Sequence, residues 1–184
     1  MNDHLRNSQR AQQEIFDYDV RPPGFFVSDH ANIAISAIEK YGAHIDYKRL
    51  LCSLERSYAW VRKPLICAVR HPGQDLRRFE HYLRCQRAEV VIEDVVYTNG
   101  KGKADFDSLI GFYCGEVAPI CDWIVIASGD GDFVKVVRRL QHHGVKIELI
   151  AFECCCSRAL RAAVDKFTEI GEEFLFNKPR KKGE

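Results

Sequence analysis

The chain has 184 residues and a mass of 21.2 kDa, the size of one ordinary domain. Its composition, 46% apolar and 29% charged, is that of a globular protein and excludes a disordered or collagen-like chain. With 27 basic and 26 acidic residues the net charge is near +1, so any attraction for a polyanion must come from local clusters of cations.

Apolar runs and cysteines indicate the cellular setting. The sequence has no run of about 18 apolar residues, so a membrane span is excluded and no membrane partner is expected. The first residues are polar and lack the apolar core of a secretory signal, so we expect a cytoplasmic protein with reduced thiols. The eight cysteines form no C-x-x-C pair, and most lie in apolar runs, which favours structural thiols over disulfides or zinc ligands.

Apolar runs alternate with amphipathic segments along the chain. Residues 1–22 are interpreted as a polar leader, residues 23–172 as the folded domain and residues 173–184 as a basic tail. In the first half of the chain, the predicted elements are a strand at 25–27, a helix at 32–41, a helix after the capping residue Asp46, a strand at 65–69, a helix at 74–87 and a strand at 90–97. In the second half, they are a loop at 99–102, a helix opened by Asp105, a strand at 123–127, a helix that starts at 133 and is ended by Gly144, a strand at 145–151 and a helix at 157–167.

Five apolar strands separated by helices predict parallel β-α units. The fold class is therefore α/β: a single doubly wound, five-stranded, mainly parallel sheet with helices on both faces, of the Rossmann-like type. The sequence shows neither an internal repeat nor a linker between domains.

Acidic side chains follow two of the predicted strands. Asp29 ends the first strand, and Asp130 and Asp132 follow the strand at 123–127. Ligands of doubly wound sheets bind outside the carboxyl ends of the strands, where the strand order reverses, and Asp105 leads into the same region. Carboxylates crowded in one crevice repel each other unless protons or cations neutralise them. Oxygen ligands without histidine or cysteine favour Mg²⁺ or Mn²⁺, so these four aspartates are the candidate metal ligands.

Such a cluster suits hydrolysis of a phosphodiester by a two-metal mechanism. Ser128 and Asn32 lie at the same strand ends and could orient a carboxylate, a water or a phosphate. A structural alternative is open for each acid, because aspartate at a strand-to-helix turn is a common helix cap. Asp105 and Asp132 could each be such a cap, and Asp29 could simply form its turn.

Ordered motifs span residues 24–170 of the chain. They are D-x-x-N at 29–32, K-G-K-A-D at 101–105, S-G-D-G-D-F at 128–133, and S-x-x-L at 157–160 followed by Asp165 and Phe167. In this order they resemble the NYN-domain family, part of the PIN-like nuclease group. The resemblance implies a PIN-like parallel sheet and a metal-dependent ribonuclease or RNA-processing role. It also implies catalytic positions at Asp29, Asp105, Asp130 and Asp132.

Cations and a histidine surround these positions. Lys101 and Lys103 flank the predicted site, and Lys135 and Arg138 follow it on the next helix. We expect them to contact RNA phosphates, which positions a strand without reading its sequence. The alternative is a solvated helix face. His30 replaces the glycine usual in the family; it is expected to place an imidazole at the mouth of the crevice and could serve as a general acid.

The leading hypothesis is a ribonuclease that uses Mg²⁺ or Mn²⁺. The G-D-G-D sequence at 129–132 would also suit a haloacid-dehalogenase-like phosphatase. Such an enzyme needs a second aspartate two residues after its nucleophile, and two residues after Asp29 the chain has Ala31 instead. A third hypothesis is an RNA-binding or regulatory module that kept the fold and lost turnover. It is motivated by His30 and by Gly111, where relatives often carry another acid. The RNA substrate and the choice between endo- and exonucleolytic cleavage stay open, and a homo-oligomer is compatible with the sequence.

Overall fold

The first half of the chain alternates strands with helices, as its apolar runs predict. The computed structural model describes residues 21–98, 101–103 and 106–176. Its first elements are β1 (Pro23–Asp29), α1 (His30–Tyr41), α2 (Tyr47–Leu54), β2 (Ala59–Trp60), β3 (Leu65–Arg70), α3 (Arg77–Cys85) and β4 (Glu89–Asp94).

The second half opens with a short ribbon and returns to the alternation. Its elements are β5 (Val96–Thr98), β6 (Lys101–Lys103), α4 (Asp107–Val117), β7 (Trp123–Ala127), α5 (Val134–His142), β8 (Lys146–Ala151), α6 (Arg158–Ala163) and β9 (Lys166–Glu169). None of the helices in the described ranges has the length and apolar character needed to cross a bilayer.

The main sheet is parallel and has the order β4-β3-β1-β7-β8-β9, with β2 paired to the start of β1. The parallel α/β class is confirmed, but the predicted count of five strands is wrong, because this sheet has seven. The short β2 and the last strand, β9, are the two that the sequence pattern did not separate from their surroundings.

The predicted helix at 157–167 ends early, because its last residues join the sheet. The chain turns to an extended conformation at Val164, and α6 ends at Ala163. Asp165 then holds the chain against β8: its backbone N–H donates to the Ile147 carbonyl at 3.0 Å, and its carboxylate accepts from the Ile147 N–H at 2.8 Å. These bonds set the register in which β9 pairs with β8.

A buried carboxylate in β8 strengthens the same junction. Glu148 is 1% exposed and accepts hydrogen bonds from the hydroxyls of Tyr58 and Thr168. The ammonium of Lys166, in β9, lies 3.0 Å from the Glu148 carboxylate. A buried carboxylate without such partners would cost several kcal/mol, so these contacts make its burial possible.

The predicted strand at 90–97 is divided between two sheets. β4 ends at Asp94, while β5 pairs with β6 in a separate antiparallel ribbon. Residues 101–103 therefore form a strand where a loop was predicted. Thr98 pairs with Lys101 at the end of this ribbon. The two residues between them in the sequence are Asn-Gly, the strongest short signal for a hairpin.

The two faces of the sheet carry separate apolar cores, which confirms the prediction of helices on both faces. One core unites Phe26 with buried residues of α1, α2 and α3. The other unites Phe25 and Val27 with buried residues of α4, α5 and α6. Alternation along β1 sends successive side chains to opposite faces, and burying each phenylalanine contributes roughly 1.5–3 kcal/mol.

Burial departs from the apolar pattern of the sequence in two places. Helix α1 turns Ile33 and Ala37 inward but leaves Ile35 and Ile38 about half exposed, because its apolar residues exceed the stripe that faces the sheet. All eight cysteines are free, but several lie on the surface rather than in the core: Cys67, Cys114 and Cys121 are buried, Cys156 is half-buried, and Cys52, Cys85, Cys154 and Cys155 are exposed.

Candidate functional site

The strand order reverses between β1 and β7. From β1 the chain continues through β3 and β4 on one side, and from β7 through β8 and β9 on the other. The two strands pair in parallel, with Ser28 opposite Ala127, so Asp29 and Ser128 follow at the same edge of the sheet. This arrangement is the topological switch point at which α/β sheets bind ligands.

Short hydrogen bonds shape the loop after β7. The Gly129 N–H donates to the side-chain oxygen of Asn32 at 2.7 Å, which ties the loop to α1. The Asp130 N–H donates to the hydroxyl of the fully buried Ser128 at 3.2 Å. The Asp132 N–H donates to the Asp130 carboxylate at 3.0 Å. Asn32 and Ser128 thus act on this loop as supports of its backbone, and Asp130, rather than Asp132, is the capping residue.

Three carboxylates converge beside this loop. One oxygen each from Asp107, Asp130 and Asp132 lies within 4.8 Å of the other two. Within the described ranges, no other group of three or more His, Cys, Asp or Glu side chains is placed to share an ion. Asp107 and Asp130 are half-buried and Asp132 is exposed, so the group is open to solvent on one side.

Asp107 is an acid of the site that the sequence pattern did not predict. The helix was expected to open at Asp105, but α4 begins at Asp107, and Asp105 lies outside the described residues. The buried Phe106 and Ile110 fix which face of α4 turns to the sheet. The sequence feature that could have indicated Asp107 is D-F-D at 105–107. When the phenylalanine between the two acids packs in the core, the acid that follows it lies in the first turn of the helix.

Asp29 lies beside the group of three without being part of it. Its carboxylate accepts from the Asn32 N–H at 3.2 Å and so caps α1, as the structural alternative for this residue proposed. The Ser128 hydroxyl lies 3.5 Å from its other oxygen. Burial raises the pKa of Asp29 above its usual value, and the negative charge of Asp130 raises it further. The pKa of Asp29 therefore depends on the negative charge of the acidic group.

His30 does not have the environment of a general acid. Its Nδ1 lies 3.1 Å from the Tyr47 hydroxyl, and its ring centroid lies 4.5 Å from that of Phe79. Burial lowers the pKa of His30 to about 4, and the charge of His44 contributes to the decrease. The imidazole is therefore neutral at pH 7 and packs among aromatic rings of α2 and α3.

The predicted RNA contacts divide into two groups. Lys135 and Arg138 are exposed on α5, and neither forms an ion pair with another residue of the described ranges. Lys101 and Lys103 belong to β6, but their side chains are outside the part of the chain that the structure describes.

The loop with three consecutive cysteines packs against the acidic loop. The Ser157 N–H donates to the Gly129 carbonyl at 2.9 Å. The Cys155 carbonyl oxygen approaches Gly129 so closely that a Cβ at this glycine would lie 2.5 Å from it. Gly129 is thus required by close backbone packing, a role that the S-G-D motif did not reveal.

The chain is similar to several known proteins. The NYN domain family matches residues 27–171. A crystal structure of a protein of unknown function from Vibrio parahaemolyticus is similar, with a TM-score of 0.79 and 26% sequence identity. That similarity covers 88% of this chain and 100% of the Vibrio chain. No curated protein matches the chain.

Proposed function

Because the chain belongs to the NYN domain family, a PIN-like nuclease family, we propose that it is a ribonuclease that depends on Mg²⁺ or Mn²⁺. The observation that carries the proposal is the group formed by Asp107, Asp130 and Asp132 at the switch point of the sheet. We propose these three as the metal ligands, with Asp29 as a neighbouring carboxylate that adds negative charge.

The donor set fits a hard divalent ion. All three donors are carboxylate oxygens, the ligand type that Mg²⁺ and Mn²⁺ prefer, and neither histidine nor cysteine belongs to the group. An octahedral Mg²⁺ ion holds its ligands at about 2.0–2.1 Å, so bound oxygens lie roughly 3–4 Å apart. Oxygens already within 4.8 Å of one another reach that spacing by small side-chain rotations.

The chain's own residues have distinct tasks in this proposal. A bound divalent ion supplies an activated water and neutralises charge on the reacting phosphate. Asp130 has two tasks. It is one of the proposed metal ligands, and one of its oxygens accepts the Asp132 N–H and thereby holds the turn in place. Ser128 and Asn32 keep the loop backbone in position, so that the carboxylates converge before any ligand arrives.

The test combines metal uptake with RNA cleavage. We expect the wild type to cleave single-stranded RNA with Mn²⁺, and Mn²⁺ to raise its melting temperature. Asp130→Asn should lose both effects, because it removes one of three anionic ligands. Asp122→Asn is the matched control: Asp122 is an exposed aspartate at the opposite edge of the sheet, just before β7, and its replacement should change neither.

The outcomes separate the ribonuclease from its alternatives. Cleavage by Asp130→Asn at the wild-type rate would show that the assigned site is wrong. RNA binding by the wild type without Mn²⁺ uptake or cleavage would instead support the binding module that lost turnover. A phosphatase would hydrolyse small phosphate monoesters and leave RNA intact.

A further inference from the structure

An open groove of about 670 Å³ runs between α4 and α5. Its walls are mainly apolar, and Val136 and Leu140 contribute from α5. On the α4 side the wall contains Gly111 and Gly115, which lie four residues apart on one face of the helix. A Cβ at Gly111 would only reach ordinary contact with Val136, at 3.5 Å, and one at Gly115 would meet nothing within 4 Å. The two glycines therefore keep this wall free of side chains.

The groove lies near the acidic group. Asp107 precedes the lining residue Gly111 by four residues on α4, and Asp132, in the turn just before α5, precedes the lining residue Val136 by four residues. One helical turn is about 5.4 Å long, so the first lining residues lie one turn from the carboxylates. Gly115 lies about 12 Å farther along α4 than Asp107. A ligand bound in the groove therefore lies close to the proposed metal site.

Positive charge follows the other wall. Lys135 and Arg139 both line the groove, are exposed and lie four residues apart on α5, so they face the same way. Neither forms an ion pair with any residue in the described part of the chain. His143 lines the groove one turn beyond Arg139. Two cations without an ion-pair partner among the described residues, beside an apolar floor, suit a ligand with phosphates on one side and flat apolar surfaces on the other.

We infer that this groove binds the single-stranded RNA segment next to the scissile phosphate, an inference that rests on the proposed function. Phosphates lie along Lys135 and Arg139, and unstacked bases lie against the apolar floor. A duplex is a poorer match to this groove, because duplex RNA presents phosphates and 2′-hydroxyls rather than base faces to the apolar floor. The absence of side chains at Gly111 and Gly115 provides the room for the bases.

Binding can be measured separately from cleavage. The probe is a fluorescein-labelled 12-nucleotide oligouridylate, and the readout is fluorescence anisotropy in EDTA, where metal-dependent cleavage cannot occur. We expect Gly115→Trp to weaken binding by about tenfold, because the indole fills the groove while the open space around Gly115 preserves the fold. Circular dichroism and the melting temperature verify that preservation.

The charged wall is tested by the salt dependence. Arg139→Ala should weaken binding and reduce the slope of log K against log salt by about 0.7, the value for one phosphate contact on a single strand. The matched control is Arg78→Ala, which removes an exposed arginine from α3 on the other face of the sheet and should leave the slope unchanged.

Each outcome decides a separate question. Wild-type binding by both Gly115→Trp and Arg139→Ala, or equal affinity for a duplex of the same length, overturns the inference. A dimeric wild type that becomes monomeric through Gly115→Trp, measured by sedimentation, also overturns it, because the groove would then be an interface between copies. Loss of binding in both variants, together with a wild type that never cleaves RNA, supports the groove and contradicts the ribonuclease proposal.

Discussion

His30 makes the stability of the protein depend on pH in a direction that can be calculated. Its pKa is 6.5 in an unfolded chain and about 4 in the folded protein, so the folded state binds the proton more weakly. The free energy of unfolding therefore keeps the full contribution of the neutral His30 ring above pH 6.5, and it loses this contribution as the pH falls towards 4. A difference of about 2.5 pH units corresponds to about 3 kcal/mol, of which most is lost by pH 4.5.

The measurement is urea unfolding followed by tryptophan fluorescence at pH 7.5, 5.5 and 4.5. His30→Asn removes the titrating ring and keeps a polar atom within reach of the Tyr47 hydroxyl. The difference in unfolding free energy between wild type and variant should shrink by about 2.5 kcal/mol from pH 7.5 to 4.5, while carboxylates common to both proteins cancel. A constant difference for His30→Asn would refute the depressed pKa and restore His30 as a candidate acid.

Three further changes test the loop, the buried carboxylate and Asp29. Gly129→Ala forces a methyl group against the Cys155 carbonyl and should cost about 1–3 kcal/mol, seen as a lower melting temperature and a loss of Mn²⁺-induced stabilisation. Tyr58→Phe removes a donor to the buried Glu148 and should cost about 1.5–3 kcal/mol in urea unfolding; an unchanged midpoint would mean that Thr168 and Lys166 satisfy the carboxylate without Tyr58. Asp29→Asn should raise the melting temperature in EDTA at pH 7.5, because burial disfavours the charged form, and this gain should shrink as the pH falls towards 4. A gain that is the same at both pH values would contradict the raised pKa.

Local sequence patterns were sufficient to predict features that depend on a single segment of the chain. Trp123–Ala127 is a continuous apolar run, and a strand buried on both faces needs such a run. S-G-D-G-D-F predicted an acidic loop directly after it, and the parallel pairing of β1 with β7 brings Asp29 to the same edge. The neighbourhood of Asp130 and Asp132 follows from local features, whereas that of Asp29 also needs the long-range pairing of β1 with β7.

Patterns failed where a residue's role depends on a distant contact. The segment at 166–169 has helical spacing, but Asp165 bonds to Ile147 and turns the chain into β9. Gly129 resembles any loop glycine until the Cys155 carbonyl is placed against it. His30 suggested a catalytic imidazole, whereas its partners are aromatic residues from helices far along the chain.

The order of apolar runs and turns was enough to establish a doubly wound α/β protein with acids at two strand ends, because strand burial and capping are short-range properties. Folding was needed to select Asp107 as the third member of the acidic group, to add two strands and to open the groove between α4 and α5. Those features depend on distances between segments far apart in the chain, and such distances exist only after the helices have packed on the sheet.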